Sequence, residues 1–144
     1  MESKAFVIVP QAGLCNRLRA LASFTVLAEA LQHKPMVYWE VSHGFSNVPF
    51  NDLFQNKLNF ISKERYTTLR DGSFQLDKVL LRPSEREPGM FKITRLFAEP
   101  EAVITVRSYD NLSYFLDDED RKHLPLFDSR FSSFFRGLQP TPQI

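Results

Sequence analysis

Two arginines, Arg17 and Arg19, lie near the start of the segment GLCNRLRALASFTVLAEAL, which begins at Gly13 and has the composition of a helix. A helix N-terminus carries about half a positive charge, so arginines there cost a few tenths of a kcal/mol unless something compensates them. Free backbone N–H groups at a helix start also bind phosphate-like anions. We therefore predict that residues 10–17 bind an anion such as a phosphate or pyrophosphate. The alternative is a pair of solvated arginines at a helix end.

The two arginines cannot serve an anion together. Side chains two residues apart on a helix are separated by about 200° around its axis. We expect one arginine to meet the ligand and the other to face solvent or an acidic partner. The segment is neither a P-loop, since it lacks the Gly-Lys-Ser/Thr that holds phosphate and magnesium, nor a Rossmann dinucleotide fingerprint.

The elements that position this segment are readable from short apolar runs. AFVIV (5–9), PMVYWE (35–40) and AVITVRS (102–108) are typical of buried strands, and a helix is predicted over 16–32 between the first two. Strand, helix and strand in this order predict a parallel pair with a right-handed crossover. The fold class is therefore α/β, with a Rossmann-like, mostly parallel sheet flanked by helices. In such sheets, ligands bind beyond the carboxyl ends of the strands.

The remaining elements are shorter. Residues 42–49 are predicted to form a loop, 50–56 a short helix and 57–62 a further strand, while 65–95 has no clear pattern. The acidic run 117–120 opens a short helix. Five apolar residues form one stripe on a last helix over 127–138. The first helix is apolar nearly all round, which indicates burial on more than one side and suggests a partner surface.

Composition narrows the class of protein. With 144 residues, 43% of them hydrophobic, the chain is expected to form a single Rossmann-like domain over 1–144. A net charge of +1 argues against a general nucleic-acid binder. The single cysteine excludes an internal disulfide framework. No apolar run reaches membrane-spanning length and no export signal is visible, so the expected location is cytoplasmic.

A resemblance to a known family rests on the segment VPQAGLCNRLRALASFTVLAEALQHKPMVYWE. It resembles the N-terminal segment of the fucosyltransferase-like glycosyltransferases with the GT-B fold, a group that includes protein O-fucosyltransferases and nodulation fucosyltransferases. FNDLF (50–54) is similar to a phrase that often follows in this group. FFRGLQPTPQI (134–144) resembles the phrase before the family's interdomain crossing. The resemblance thus covers 5–54 and 134–144.

This resemblance implies a nucleotide-sugar donor such as GDP-fucose as substrate, a glycan or protein acceptor, and neither cofactor nor metal. It implies that Asn16 helps to hold the nucleotide sugar while its neighbours approach the diphosphate through backbone N–H groups. His43 lies in the loop after the second strand, where an acceptor could bind; simple surface exposure is the alternative. The residues expected to bind substrate are Gly13, Leu14, Cys15, Asn16, Arg17 and His43. No catalytic base is identified.

Two functions follow from the resemblance. The family's His-x-Arg-x-x-Asp phrase belongs to the next half of the fold, so the chain is expected to be the N-terminal half of a glycosyltransferase. A homodimer or a partner chain supplying the second domain is then expected. The alternative is a non-catalytic binding or assembly module that retains the half-fold.

Other residues carry weaker signals. Cys15 at a helix start suggests a lowered thiol pKa, although a small buried packing residue is the alternative we favour. Asp52 is read as capping or solvating a helix and not as a base. The acids at 117–120 fit a helix start better than a metal site. Arg107 ends a strand at the ligand-facing edge and could assist there. Trp39 is expected in the core, with a sugar platform as the alternative.

Overall fold

The computed structural model of the chain describes residues 5–11, 13–41, 48–77, 103–108, 118–122 and 124–142. Four strands form one sheet in the order β2-β1-β4-β3, and every neighbouring pair is parallel. They are β1 (Ala5–Pro10), β2 (Lys34–Val37), β3 (Phe74–Asp77) and β4 (Val103–Ser108). The predicted parallel neighbours around the first strand are confirmed, as is the Rossmann-like α/β fold.

Five helices lie in the described part of the chain. They are α1 (Leu14–Leu31), α2 (Phe50–Leu53), α3 (Lys63–Asp71), α4 (Asp118–Lys122) and α5 (Phe127–Arg136). Helix α1 joins β1 to β2, as predicted, but begins two residues earlier than expected. The predicted short helices after residues 50 and 117 and the last helix are confirmed. Within the described residues, no helix is long and apolar enough to cross a membrane.

Strand β1 is apolar throughout because both of its faces are covered. Phe6 and Ile8 belong to the core between the sheet and α1. Val7 and Val9 point to the opposite face, where they pack with Tyr66 of α3. Successive strand side chains alternate between faces, so helices on both sides of a sheet leave no polar position along the strand.

Helix α1 finds its second neighbour within the chain. It packs against β1 and β2 on one side and against α5 on another. Phe127 of α5 is buried in the same core, and Phe131, Phe134, Phe135 and Leu138 are partly buried against it. The phenylalanine stripe therefore covers α1. Helix α5 is therefore the second neighbour of the all-apolar α1, and the expectation of a homodimer or a partner chain stays a prediction.

The region after β2 differs most from the prediction. Residues 57–62 form no strand; Phe60 makes only an isolated parallel bridge to Val37. Helix α3 and strand β3 lie within or beside the stretch that has no clear sequence pattern. Ser62 caps α3, since its side chain accepts a hydrogen bond from the backbone N–H of Arg65 at 3.1 Å.

Candidate functional site

The strand order places a candidate site at the carboxyl end of β1. The connection from β1 leads through α1 to β2 on one side, while β4 and β3 lie on the other side. Such a reversal is the topological switch point at which open α/β sheets bind ligands. In register, Pro10 at the end of β1 pairs with Ser108 at the end of β4. We call the turn Gly13–Asn16 and the adjoining strand ends the sheet-edge site.

The start of α1 offers backbone donors to this site. Gly13 is the N-cap residue in an extended conformation, and as a glycine it has no side chain with which to cap the helix. Its carbonyl accepts the first helical hydrogen bond, from the backbone N–H of Arg17 at 3.0 Å. The N–H groups of the three residues between them have no acceptor inside the helix. No acidic residue lies in the first turn, so the positive end of the helix dipole is left for an anion.

Gly13 has space beside it among the residues that the structure describes. A Cβ atom built on it would meet none of their atoms within 4 Å. Its φ of −73° and ψ of 174° suit any L residue. The glycine therefore leaves room beside the helix start without being required by the backbone.

Arg17 points into the protein and not into this open space. Its side chain is only 2% exposed, and Nη1 donates a hydrogen bond to the backbone carbonyl of Glu40 at 2.6 Å. The guanidinium lies 5.1 Å from the centroid of the Trp39 ring. Burial lowers the pKa of Arg17, and the nearby Glu40 carboxylate raises it. The charge of this arginine is thus compensated by the end of β2.

Arg19 faces the opposite way, as the helical spacing predicts. It is exposed, and its guanidinium donates a hydrogen bond to Oδ1 of Asn16. The two arginines therefore point apart, and the one facing outwards contacts a neighbouring side chain. Asn16, expected to hold a nucleotide sugar, lies half-buried in the first turn of α1.

Two polar residues that the sequence analysis did not single out complete the edge. Gln11 follows β1, and its Nε2 lies 3.5 Å from Oε2 of Glu40 and 3.2 Å from the carbonyl oxygen of Pro10. Glu40 thus contacts residues on both sides of the Gly13–Asn16 turn. The available signal was the position of Glu40, a charged residue directly after an apolar strand segment.

The other candidates fall in different places. Cys15 is exposed within α1, so the expectation of a small buried packing residue is wrong. Trp39 is buried, and its indole N–H donates to the carbonyl of Val48 at 3.0 Å, which confirms the core interpretation. Asp52 is exposed in α2, and Arg107 lies half-buried beside Val9 in the sheet register. His43 lies outside the described residues.

Comparison with known proteins shows a likeness of fold. No family model matches the sequence, and no curated protein matches it. Among solved structures, the chain is similar to FUT1 of Arabidopsis thaliana, a fucosyltransferase variant in complex with GDP. The TM-score is 0.64 and the identity 16%; the match covers 99% of this chain and 38% of that chain. The chain has a fucosyltransferase-like fold.

The extent of the match matters as much as its quality. At this identity the likeness is one of fold alone. It spans almost all of the present chain but less than half of the length of FUT1. The α/β arrangement described above is therefore that of one part of a larger fucosyltransferase fold.

Proposed function

We propose that this chain is the N-terminal half of a fucosyltransferase-like glycosyltransferase and that its sheet-edge site binds the diphosphate of a nucleotide sugar. The observation that carries the proposal is the likeness of 99% of the chain to part of a GDP-bound fucosyltransferase. The proposed partners are a nucleotide-sugar donor and a glycan or protein acceptor. Residues 1–144 are proposed to act as one domain.

The chemistry proposed for the sheet-edge site is stabilisation of a leaving diphosphate. In glycosyl transfer an acceptor hydroxyl forms a bond to the anomeric carbon as the bond from that carbon to the diphosphate oxygen breaks. Negative charge then builds up on the leaving group. Fixed N–H donors at a helix start, with no competing acid, favour that charge more than they favour the intact donor. The catalytic base and much of the nucleotide pocket are assigned to the remaining part of the enzyme, in the same or another chain.

One observation favours the alternative of a non-catalytic binding or assembly module. Arg17, the residue predicted to neutralise an anion, is buried against Glu40 and Trp39. The sheet-edge site then lacks the counter-charge that Arg17 was expected to give a diphosphate. A module of this kind would bind an acceptor or another chain and have no transferase activity.

The test places a carboxylate at the helix start. The change Gly13→Asp fits the open space and the extended backbone, and aspartate is a preferred N-cap residue. Its side chain would take N–H groups that the phosphate is proposed to use and would repel the anion. We expect calorimetry to show GDP affinity reduced more than ten-fold, with the melting temperature unchanged or raised.

The matched control is Gly13→Ala, which adds the Cβ without the charge and should keep the affinity of the wild type. Equal GDP affinity in all three proteins would contradict the proposal that the diphosphate binds at the helix start. A wild-type chain that gives no binding heat with GDP at millimolar concentration would favour the binding module.

A further inference from the structure

We infer that Gln11, Arg17 and Glu40 form a bracket that positions the Gly13–Asn16 turn for its ligand. This inference rests on the proposed function of the sheet-edge site. Glu40 lies just beyond the end of β2, whereas Gln11 and Arg17 come from the two sides of the turn that follows β1. We call these three residues the Glu40 bracket. Arg17 contacts the backbone carbonyl of Glu40, and Gln11 contacts its carboxylate.

The stronger arm of the bracket is Arg17. Its guanidinium is held by the backbone carbonyl of Glu40 at 2.6 Å and lies over the Trp39 indole. Buried hydrogen bonds from a charged donor are among the stronger ones in proteins. Because the acceptor is a backbone atom in the segment directly after β2, this contact ties the first turn of α1 to the edge of the sheet.

The weaker arm is Gln11. Its amide reaches Oε2 of Glu40 at 3.5 Å, the long limit for a hydrogen bond, and also donates to the carbonyl of Pro10 at 3.2 Å. Since both arms end on one residue, the turn between them cannot shift relative to β2 without straining at least one contact.

This arrangement makes Arg17 a positioning residue. A side chain that is 2% exposed and turned towards β2 presents no surface to a ligand at the helix start. Donors that bind a diphosphate need their positions held within about half an ångström, so a residue that anchors them affects affinity without contact. Arg17 would therefore matter for GDP binding through the backbone of the turn.

The experiment compares GDP affinity with the order of the turn in the same proteins. Arg17→Met keeps the aliphatic stem and removes charge and donors; Arg17→Lys keeps the charge but not the planar guanidinium. Two other measurements show whether the turn stays ordered. One is hydrogen exchange of the backbone amide at position 17, which donates to the carbonyl of Gly13. The other is the fluorescence of Trp39, the single tryptophan. The matched control is Arg136→Met, which removes an exposed arginine at the end of α5.

We expect Arg17→Met to lower GDP affinity at least ten-fold, to speed exchange at position 17 and to change the Trp39 emission. Arg17→Lys should lie between it and the wild type. Arg136→Met should keep the wild-type affinity, because Arg136 lies at the exposed end of α5 and outside the Glu40 bracket.

Two results would overturn the inference. Lost affinity with unchanged exchange and emission would mean that Arg17 touches the ligand, and faster exchange with unchanged affinity would leave it a purely structural role. If the wild-type chain binds no GDP, the proposed function fails, and the bracket has no ligand to position. Hydrogen exchange at position 17 in Arg17→Met still shows whether Arg17 anchors the turn. A failure of the proposed function can therefore be distinguished from a failure of the positioning role.

Discussion

The side-chain oxygen of Asn56 accepts a hydrogen bond from the backbone N–H of Gln139 at 2.7 Å. The side-chain amide of Asn56 also donates through Nδ2 to the carbonyl of Gly137 at 2.8 Å. Backbone bonds extend the contact, since Gln55 donates to Gln139 at 2.7 Å and Thr141 donates to Leu53 at 2.9 Å. The segment after α5 is thereby tied to the segment after α2. This tie helps to hold α5 in place over α1.

Removal of the Asn56 amide should loosen this tie. Asn56→Ala deletes two hydrogen bonds, and we expect the free energy of unfolding to fall by about 1–3 kcal/mol. Urea denaturation followed by circular dichroism measures the change. Asn59→Ala is the matched control, because Asn59 lies in the same segment but makes one side-chain hydrogen bond, to the carbonyl of Pro35 at 3.0 Å. Equal losses in the two variants would contradict a special role for Asn56.

The packing of α5 on α1 can be tested with two adjacent residues. Phe127 is buried in the core, whereas Leu126 is 55% exposed. Phe127→Ala should cost about 3–5 kcal/mol through lost apolar burial and a cavity. Leu126→Ala should change the free energy of unfolding by less than about 0.5 kcal/mol. Thermal and urea denaturation of both variants measure the difference, and a small loss in Phe127→Ala would show that α5 does not seal this core.

The packing of Phe127 against α1 also predicts the oligomeric state of the chain. Because α5 covers α1, the wild-type chain is expected to run near its own mass of 16.7 kDa in light scattering at micromolar concentration. Phe127→Ala should raise the apparent mass if it uncovers the apolar side of α1, since large exposed apolar patches favour association. A wild-type dimer would instead support the homodimer expected from the sequence.

Strands β1, β2 and β4 could be predicted from the sequence because they coincide with short apolar runs, whereas β3 lies in the stretch that has no clear pattern. A strand such as β1, with apolar residues facing both layers, is visible as an unbroken apolar run. Helix α3 has no such pattern, because Tyr66 is its one buried residue and Leu69 is only half-buried. One buried apolar residue does not produce the repeating apolar pattern of an amphipathic helix, so the packing of α3 on the sheet could not be predicted from the sequence.

The site was predictable only in part, for a similar reason. The proposal that the Gly13–Asn16 turn binds an anion follows from the helix start, which has no acidic residue in its first turn. The direction of Arg17 does not, because helical spacing shows that two arginines diverge but not which one turns inwards. Gln11 and Glu40 meet only after β1 and β2 align side by side, a tertiary relationship that no local pattern contains.

The final prediction concerns Tyr38 at alkaline pH. The ring of Tyr38 stacks on Tyr66 with centroids 4.7 Å apart on the face covered by α3. Burial, with smaller effects from Glu40 and other neighbours, raises the pKa of Tyr38 above its usual value near 10. Above about pH 10 the unfolded chain therefore loses this proton before the folded chain does. The contribution of Tyr38 to stability is complete below that pH and is lost as the pH rises through the folded pKa.

The change Tyr38→Phe keeps the ring and removes the ionisable hydroxyl. We expect the two proteins to have urea midpoints that change differently between about pH 8 and pH 11, with the larger decrease in the wild type. The comparison of differences cancels the other groups that titrate in this range, because both proteins share them. Identical alkaline losses would mean that Tyr38 ionises in the folded chain as easily as in the unfolded one, and the half-buried stack with Tyr66 would then not protect its hydroxyl.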